Sequence, residues 1–359
     1  MRARVVVVGA GQAGLAAAHH LRRAGLAPGD FVVLDDAPGA GGAWQHRWDS
    51  LTVGQTHSIQ ELPGMGPPPA DPHARASVVM STYFADYERA FDLPVHRPVR
   101  VQAVRDVGVE APAGRRLLRV ETDRGEWLTE AVINATGTWQ KPFWPVYPGQ
   151  STFGGRQLHT RDFTSAREFR GRHVLVVGGG TSAVQLMLQI AEVARTTWVT
   201  RRPPEFTDAE FDAEARRAAV AAVDARIRAG LPPQSVVAAT RLPLTPEYRR
   251  GIASGVLTRL PMFARIVPGG VVWAPGDVPP APEYLAVDAI VWATGFRPSL
   301  DHLAPLRLRT RGGGIVMDGP EVVADPRIQL IGYGPSASII GANRAGRVAV
   351  RNLRRLLGF

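Results

Sequence analysis

The sequence predicts an α/β protein with two parallel-sheet units, the second inserted into the first. Two observations carry that expectation. A strand, a glycine turn and a helix follow one another at residues 4–24 and again at 173–193. A strand ending in Ala-Thr-Gly also occurs twice, at 135–137 and 293–295. The 359 residues suffice for about two domains. Apolar residues make up 45% and charged residues 21%, the balance of a folded chain.

The first pattern opens with Arg4-Val-Val-Val-Val-Gly9, a continuous apolar run suited to a buried parallel strand. Gly9, Gly11 and Gly14 then form Gly-x-Gly-x-x-Gly, and Leu15 to Ala24 reads as helix. The first glycine permits a tight turn and the second lets backbone approach a pyrophosphate. The third lets the helix pack closely on the strand. The helix N-terminus supplies free N–H groups and the positive end of a dipole. A second strand, Phe31–Leu34, ends in Asp35, an acceptor for ribose hydroxyls. This spacing predicts a Rossmann-like dinucleotide site.

The second pattern begins with the strand His173–Val177, followed by Gly178, Gly179, Gly180, Thr181, Ser182 and Ala183. Ala183 stands where the third glycine would be, an allowed variant. The helix runs from about Ser182 to Val193, and the next strand is Thr197–Thr200. Arg201 and Arg202 close it in place of an acid, which favours a 2′-phosphate. The two fingerprints therefore predict a ribose-type ligand at the first and NADPH at the second. Thr136 and Thr294 mark the strand ends where small residues let a chain crossing pass near a nucleotide.

The expected organisation is 1–150 for the first part of one domain and 151–300 for the NADPH domain. A helical insertion falls at about 205–283, and 301–359 returns to the first domain. In that return, Gln329–Gly332 reads as a strand and Gly341–Leu357 as a closing helix. Residues 78–92 read as a helix whose Tyr83, Phe84, Tyr87 and Phe91 serve the core. Core packing is also the expectation for Met262, Phe263 and Trp273. Residues 205–230 read as an exposed helix. The Pro-rich stretches 63–72, 141–148 and 275–282 read as loops.

Composition narrows the chemistry. The chain has no cysteine, which excludes disulfides, Cys-ligated zinc, Fe–S clusters and thiol redox centres. The nine histidines show no metal-ligand spacing, no metal site is expected, and no Gly-x-Ser-x-Gly elbow is present. No apolar run of about 18 residues exists, and the first apolar stretch breaks at Gly9, so a cytoplasmic, non-membrane protein is expected. The net charge is +10, yet all but one of the 42 basic residues are arginines, scattered without a basic block. No nucleic-acid partner is expected.

Five features together resemble the class B flavin-dependent monooxygenases and their smaller single-component relatives. They are the Gly9 fingerprint; Gly41-Gly42-Ala43-Trp44 with Arg47-Trp48-Asp49-Ser50-Leu51; Ala-Thr-Gly at 135–137; Phe153-Gly-Gly155-Arg-Gln-Leu-His159-Thr-Arg-Asp-Phe163; and the Gly178 fingerprint. The fourth matches the family signature F-x-G-x-x-x-H-x-x-x-[F/Y]. The resemblance implies FAD on Gly9, Gly11, Gly14 and Asp35, with Gly42 and Trp44 along its flavin half. It implies NADPH on Gly178, Gly180, Thr181, Ser182, Arg201 and Arg202. It further implies oxygenation of a small molecule by O2 through a C4a-hydroperoxyflavin, at nitrogen, sulfur or a carbonyl carbon. His159 would orient or hinge near NADP⁺, and Asn343 would lie near the flavin.

One departure stands out. Many family members carry an asparagine near the flavin edge where this chain has Gly54, followed by Gln55, Thr56 and His57. Gln55 offers a replacement amide and His57 a further candidate. Without such a group, the alternative is an NADPH-dependent flavin reductase or oxidase. A third reading, from another class, is a nucleotide-holding scaffold or basic nucleic-acid binder.

Overall fold

A computed structural model describes the chain apart from residues 57–60, 111–115, 209–212, 234–240, 275–281 and 338. It divides into two compact units. The first comprises Met1–Gln140, Ala218–Val236 and Pro298–Phe359, and the second Lys141–Arg217 and Val237–Arg297.

In the first unit, β1 (Arg2–Val8) leads into helix α1 (Gln12–Arg23) and β2 (Phe31–Leu34). Helix α2 (Ala76–Ala90) and the short β3 (Val95–His96) follow. A meander of β4 (Val101–Glu110), β5 (Arg116–Thr122) and β6 (Gly125–Asn134) completes this part. β1 lies between β2 and β6, parallel to both. The strand Ile328–Leu330 adds in parallel on the far side of β6, and β3 on the far side of β2.

The apolar run of β1 is explained by cover on both faces. Val5 and Val7 join one buried cluster with α1, α2 and the C-terminal helix Ile339–Leu357. Val6 and Val8 join another with the meander and the return segment. Phe31 and Val33 divide from Val32 and Leu34 in the same way. Each such fully buried side chain contributes roughly 1.5–3 kcal/mol. α1 and the C-terminal helix touch through small residues: a Cβ on Gly346 would lie 3.0 Å from the Ala17 amide nitrogen.

The second unit repeats the plan with fewer strands. β7 (Arg156–His159), β8 (His173–Val177), helix α3 (Thr181–Ala191) and β9 (Arg195–Val199) form its core with the strand Ala289–Trp292. The spatial order is Arg259–Leu260, β9, β8, Ala289–Trp292 and β7, all parallel. Phe263 and Trp273 are buried in its core, with Met262 packed against it.

The structure corrects the expected bounds. The unit borders fall at 140/141 and 297/298, and residues 218–236 belong to the first unit, outside the second. The helix Ala213–Arg228 is not solvated all round, because Val223 and Ile227, one turn apart, are buried in the first unit's core. Its alanine-rich sequence hid that face. Residues 63–72 and 141–148 lack helix, as expected for loops. Most of 275–282 lies outside the described residues.

Candidate functional site

In the first unit the glycine turn sits where β1 ends beside the end of β6. A Cβ on Gly14 would stand 1.8 Å from the Gly9 carbonyl oxygen, so the helix rests directly on the turn. Gly11 caps α1 and brings no side chain to it, which leaves the first-turn amides to a bound anion. The short turn Gly42–His46 lies over Gly11: a Cβ on Gly42 would reach within 2.8 Å of the Gly11 Cα. These are the dimensions of a cradle that backbone must enter, and the residues present fit a dinucleotide pyrophosphate.

Asp35 is buried at the end of β2. Its carboxylate accepts from the Ala10 amide at 3.3 Å and from Arg97 Nε at 2.7 Å. Arg97 also donates to both oxygens of Glu88, at 2.7 and 2.6 Å. This ion-paired trio clamps the β2 end to α2. Sequence reading missed Arg97 and Glu88, because only the β2–β3 pairing brings residue 97 beside residue 35.

The strand end after β6 is tied down by its own hydroxyl. Thr136 Oγ1 donates to the Ser299 carbonyl at 2.5 Å and accepts from Asn134 Nδ2 at 3.1 Å. His302, buried, donates through Nε2 to Asn134 Oδ1 at 2.6 Å, and burial pushes its pKa down to about 4. Asn343, on the C-terminal helix, accepts from Gln12 Nε2 at 3.0 Å and donates to the Glu61 carbonyl. It thus meets α1 one residue after Gly11.

Gln55 has a local task. Its Oε1 accepts from the Thr52 amide at 3.2 Å, closing a capping box around the turn Val53–Gln55. His57 lies outside the described residues. Trp44 contacts Arg47, whose guanidinium lies 5.7 Å from the Trp44 ring centre and 5.0 Å from that of Trp139. This group also escaped the sequence reading, since Trp139 is far from Arg47 in the chain.

In the second unit Gly178 turns beside Ala293: a Cβ there would lie 2.2 Å from the Ala293 carbonyl oxygen. Gly180 caps α3 without a side-chain bond, and nothing lies within 4 Å of where its Cβ would be. Thr181 and Ser182 are half-buried in the first turn of α3. The cradle again suits a dinucleotide. Arg201 and Arg202 are exposed beyond β9, in no ion pair among the described residues, and the Thr200 hydroxyl fixes their backbone by donating to the Arg202 carbonyl. Thr294 Oγ1 donates to the Phe143 carbonyl at 2.5 Å.

His159 is fully buried at the end of β7. Nε2 donates to the Gly295 carbonyl at 3.0 Å, and Nδ1 accepts from the Arg161 amide at 3.1 Å. Burial lowers its pKa, so the ring is a neutral Nε2–H tautomer with both nitrogens engaged. It holds the Gly295 turn and has no lone pair free for proton abstraction. Among the described residues no cluster of three or more His, Asp or Glu side chains has metal-binding geometry. No helix among them is long and apolar enough to cross a membrane.

The family model described as pyridine nucleotide-disulphide oxidoreductase matches residues 6–224. With no cysteine in the chain, the match concerns the dinucleotide domains and not disulfide chemistry. A solved flavin-containing monooxygenase from Stenotrophomonas maltophilia is 36% identical, with a TM-score of 0.81, and the match covers 99% of each chain. A Baeyer–Villiger monooxygenase from Streptomyces coelicolor is 29% identical over 262 residues, 70% of this chain and 45% of that one. A probable indole-3-pyruvate monooxygenase from Arabidopsis thaliana is 31% identical over 195 residues, 52% of this chain and 43% of that one. The chain spans about half the length of the curated relatives it matches.

Proposed function

The chain belongs to the pyridine nucleotide-disulphide oxidoreductase family and, within it, to the flavin-containing monooxygenases, and from that premise we propose that it oxygenates a small molecule using FAD, NADPH and O2. The observation that carries the reading is the pair of uncapped helix N-termini on glycine turns, closed by different residues, Asp35 in one unit and Arg201-Arg202 in the other. When bound, the flavin supplies hydride acceptance from NADPH and reduction of O2, one oxygen atom entering the substrate and the other leaving as water.

The protein's part is binding, orientation and proton control. The first-turn amides of α1 hold the FAD pyrophosphate, and Asp35, fixed by Arg97, accepts from the adenosine ribose. The α3 turn, with Thr181 and Ser182, holds the NADPH pyrophosphate, and Arg201 and Arg202 bind its 2′-phosphate. His159 keeps the Gly295 turn in place as a neutral ring, a positioning role. The substrate is a nitrogen, sulfur or carbonyl compound.

A second reading, NADPH oxidase or flavin reductase, is favoured by two features. Gly54 brings no side chain where the family resemblance expects an asparagine, and the Gln55 amide oxygen is held in its capping box. One experiment separates the two. The FAD-loaded protein is reduced with NADPH without air, then given ¹⁸O2 and a panel of thioethers, amines and ketones. Label in an organic product supports the oxygenase. NADPH consumed one-for-one with hydrogen peroxide, with no labelled product across the panel, replaces it with the oxidase.

A further inference from the structure

Arg47 differs from Arg97, another arginine anchored in the first unit's interior. Arg97 is matched by two carboxylates, whereas among the described residues Arg47 has no ion pair and no hydrogen bond to its guanidinium. Nearby acids are committed elsewhere: Asp49 pairs with Arg75, and Asp36 with Arg100. Burial lowers the Arg47 pKa, and no acidic neighbour opposes that shift. In place of a counter-charge the guanidinium has the rings of Trp139 and Trp44, at 5.0 and 5.7 Å. His46 stacks on Trp139 too, at 5.7 Å and 7° between planes.

Ring contacts engage a guanidinium through its π face and leave its in-plane N–H fork free for a planar acceptor. A cation that is part-desolvated and unpaired in the free protein is costly unless a ligand supplies the anion. The location fits a ligand. Trp44 stands in the turn that lies over Gly11, and Trp139 follows the Ala-Thr-Gly end of β6. Both belong to the carboxyl edge of the sheet, where open α/β folds receive ligands.

We propose that Arg47, held by Trp44 and Trp139, binds an oxyanion, and that this oxyanion is a carboxylate of the substrate. The assignment rests on the oxygenase reading and narrows it to anionic substrates. A dinucleotide phosphate carries the same chemistry. The backbone amides of the glycine turn would meet the cofactor's pyrophosphate, which would leave the planar fork to a carboxylate.

The test needs no turnover. FAD-saturated protein is titrated with phenylacetate and 3-phenylpropionate and with their neutral amides, read by tryptophan fluorescence and by the flavin spectrum. The acids should bind about tenfold or more tightly than the amides. Arg47→Met should abolish that preference, and Arg47→Lys should keep part of it, with melting temperatures reporting whether each variant folds. Equal binding of acid and amide to the native protein overturns the proposal, as does a preference that survives Arg47→Met. FAD lost from Arg47→Met on equilibrium dialysis, while native and Lys forms retain it, overturns it as well by assigning the oxyanion to a cofactor phosphate. Failure of the oxygenase reading shows separately, as absence of ¹⁸O in products, whatever the acid-to-amide ratio.

Discussion

The two glycine turns meet the same steric demand and part company at two positions. At each, a strand-end glycine lies against the alanine carbonyl of an Ala-Thr-Gly turn: a Cβ would come within 2.7 Å at Gly9 and 2.2 Å at Gly178. Each threonine then donates to the carbonyl of a segment at a unit border, Thr136 to Ser299 and Thr294 to Phe143, both at 2.5 Å. The carbonyls of Gly137 and Gly295 accept from the amides of those same partners, at 3.0 and 2.9 Å. The third small residue differs. Gly14 faces the Gly9 carbonyl, whereas the Gly178 carbonyl accepts from the Trp198 indole at 2.6 Å, and Ala183 is accommodated. The residues closing the second strand differ as well: a buried, ion-paired Asp35 against exposed Arg201 and Arg202. Backbone crossing sets the shared frame, and the closing side chains are what the proposed assignment of FAD to one turn and NADPH to the other rests on.

The sharpest way to break the comparison is to exchange its third residues. Gly14→Ala puts a methyl group into the Gly9 carbonyl and should cost about 4 kcal/mol or more, with FAD lost, as measured by denaturant unfolding and flavin content. Next comes the clamp of the first unit, which has no counterpart at the second turn among the described residues. Arg97→Met strands Asp35 and Glu88 as buried charges and should lower unfolding stability by about 3 kcal/mol, visible in the urea midpoint.

His302, one of the first unit's buried histidines, adds a pH dependence. The His302 pKa lies at about 4 in the folded protein, below its ordinary 6.5. Between those values the unfolded chain binds a proton that the native state refuses, so stability falls as pH drops from 6.5 towards 4. The loss from this residue should be about 2–3 kcal/mol, and His302→Gln should make the melting-temperature profile shallower over that window, leaving the slope due to His19 and His20. Milder still, the double variant Arg201→Ser/Arg202→Ser should raise the KM for NADPH about 10- to 100-fold and leave NADH nearly unchanged in steady-state assays. The smallest effect belongs to Ala183→Gly, at about 1 kcal/mol or less in the same unfolding assay, with NADPH binding retained. A loss there matching that of Gly14→Ala would erase the distinction between the turns.

What was legible in the sequence was local. β1, β2, β8, α1 and α3 follow from apolar runs interrupted by glycines, because strand burial and turn geometry act over a few residues. The inserted order of the units could be read from the recurrence of one pattern inside another. The helix at 213–228 was misread because two buried side chains among alanines give little periodic signal, and its partners, near Leu330 and Tyr333, lie a hundred residues away. Asp35 was found as an acid at the end of a strand, but not the Arg97–Glu88 pair that immobilises it. Gln55 was read as a replacement amide, without the capping box that engages its Oε1 and needs only Thr52, three residues before. Arg47 stood in a recognised motif, yet nothing local distinguishes an arginine in solvent from one held against Trp139. Spacing determines which backbone segments form and where a glycine turn meets a helix N-terminus. Which charges are paired, buried or left waiting depends on side chains that meet only when the sheet assembles, and tertiary structure alone decided that.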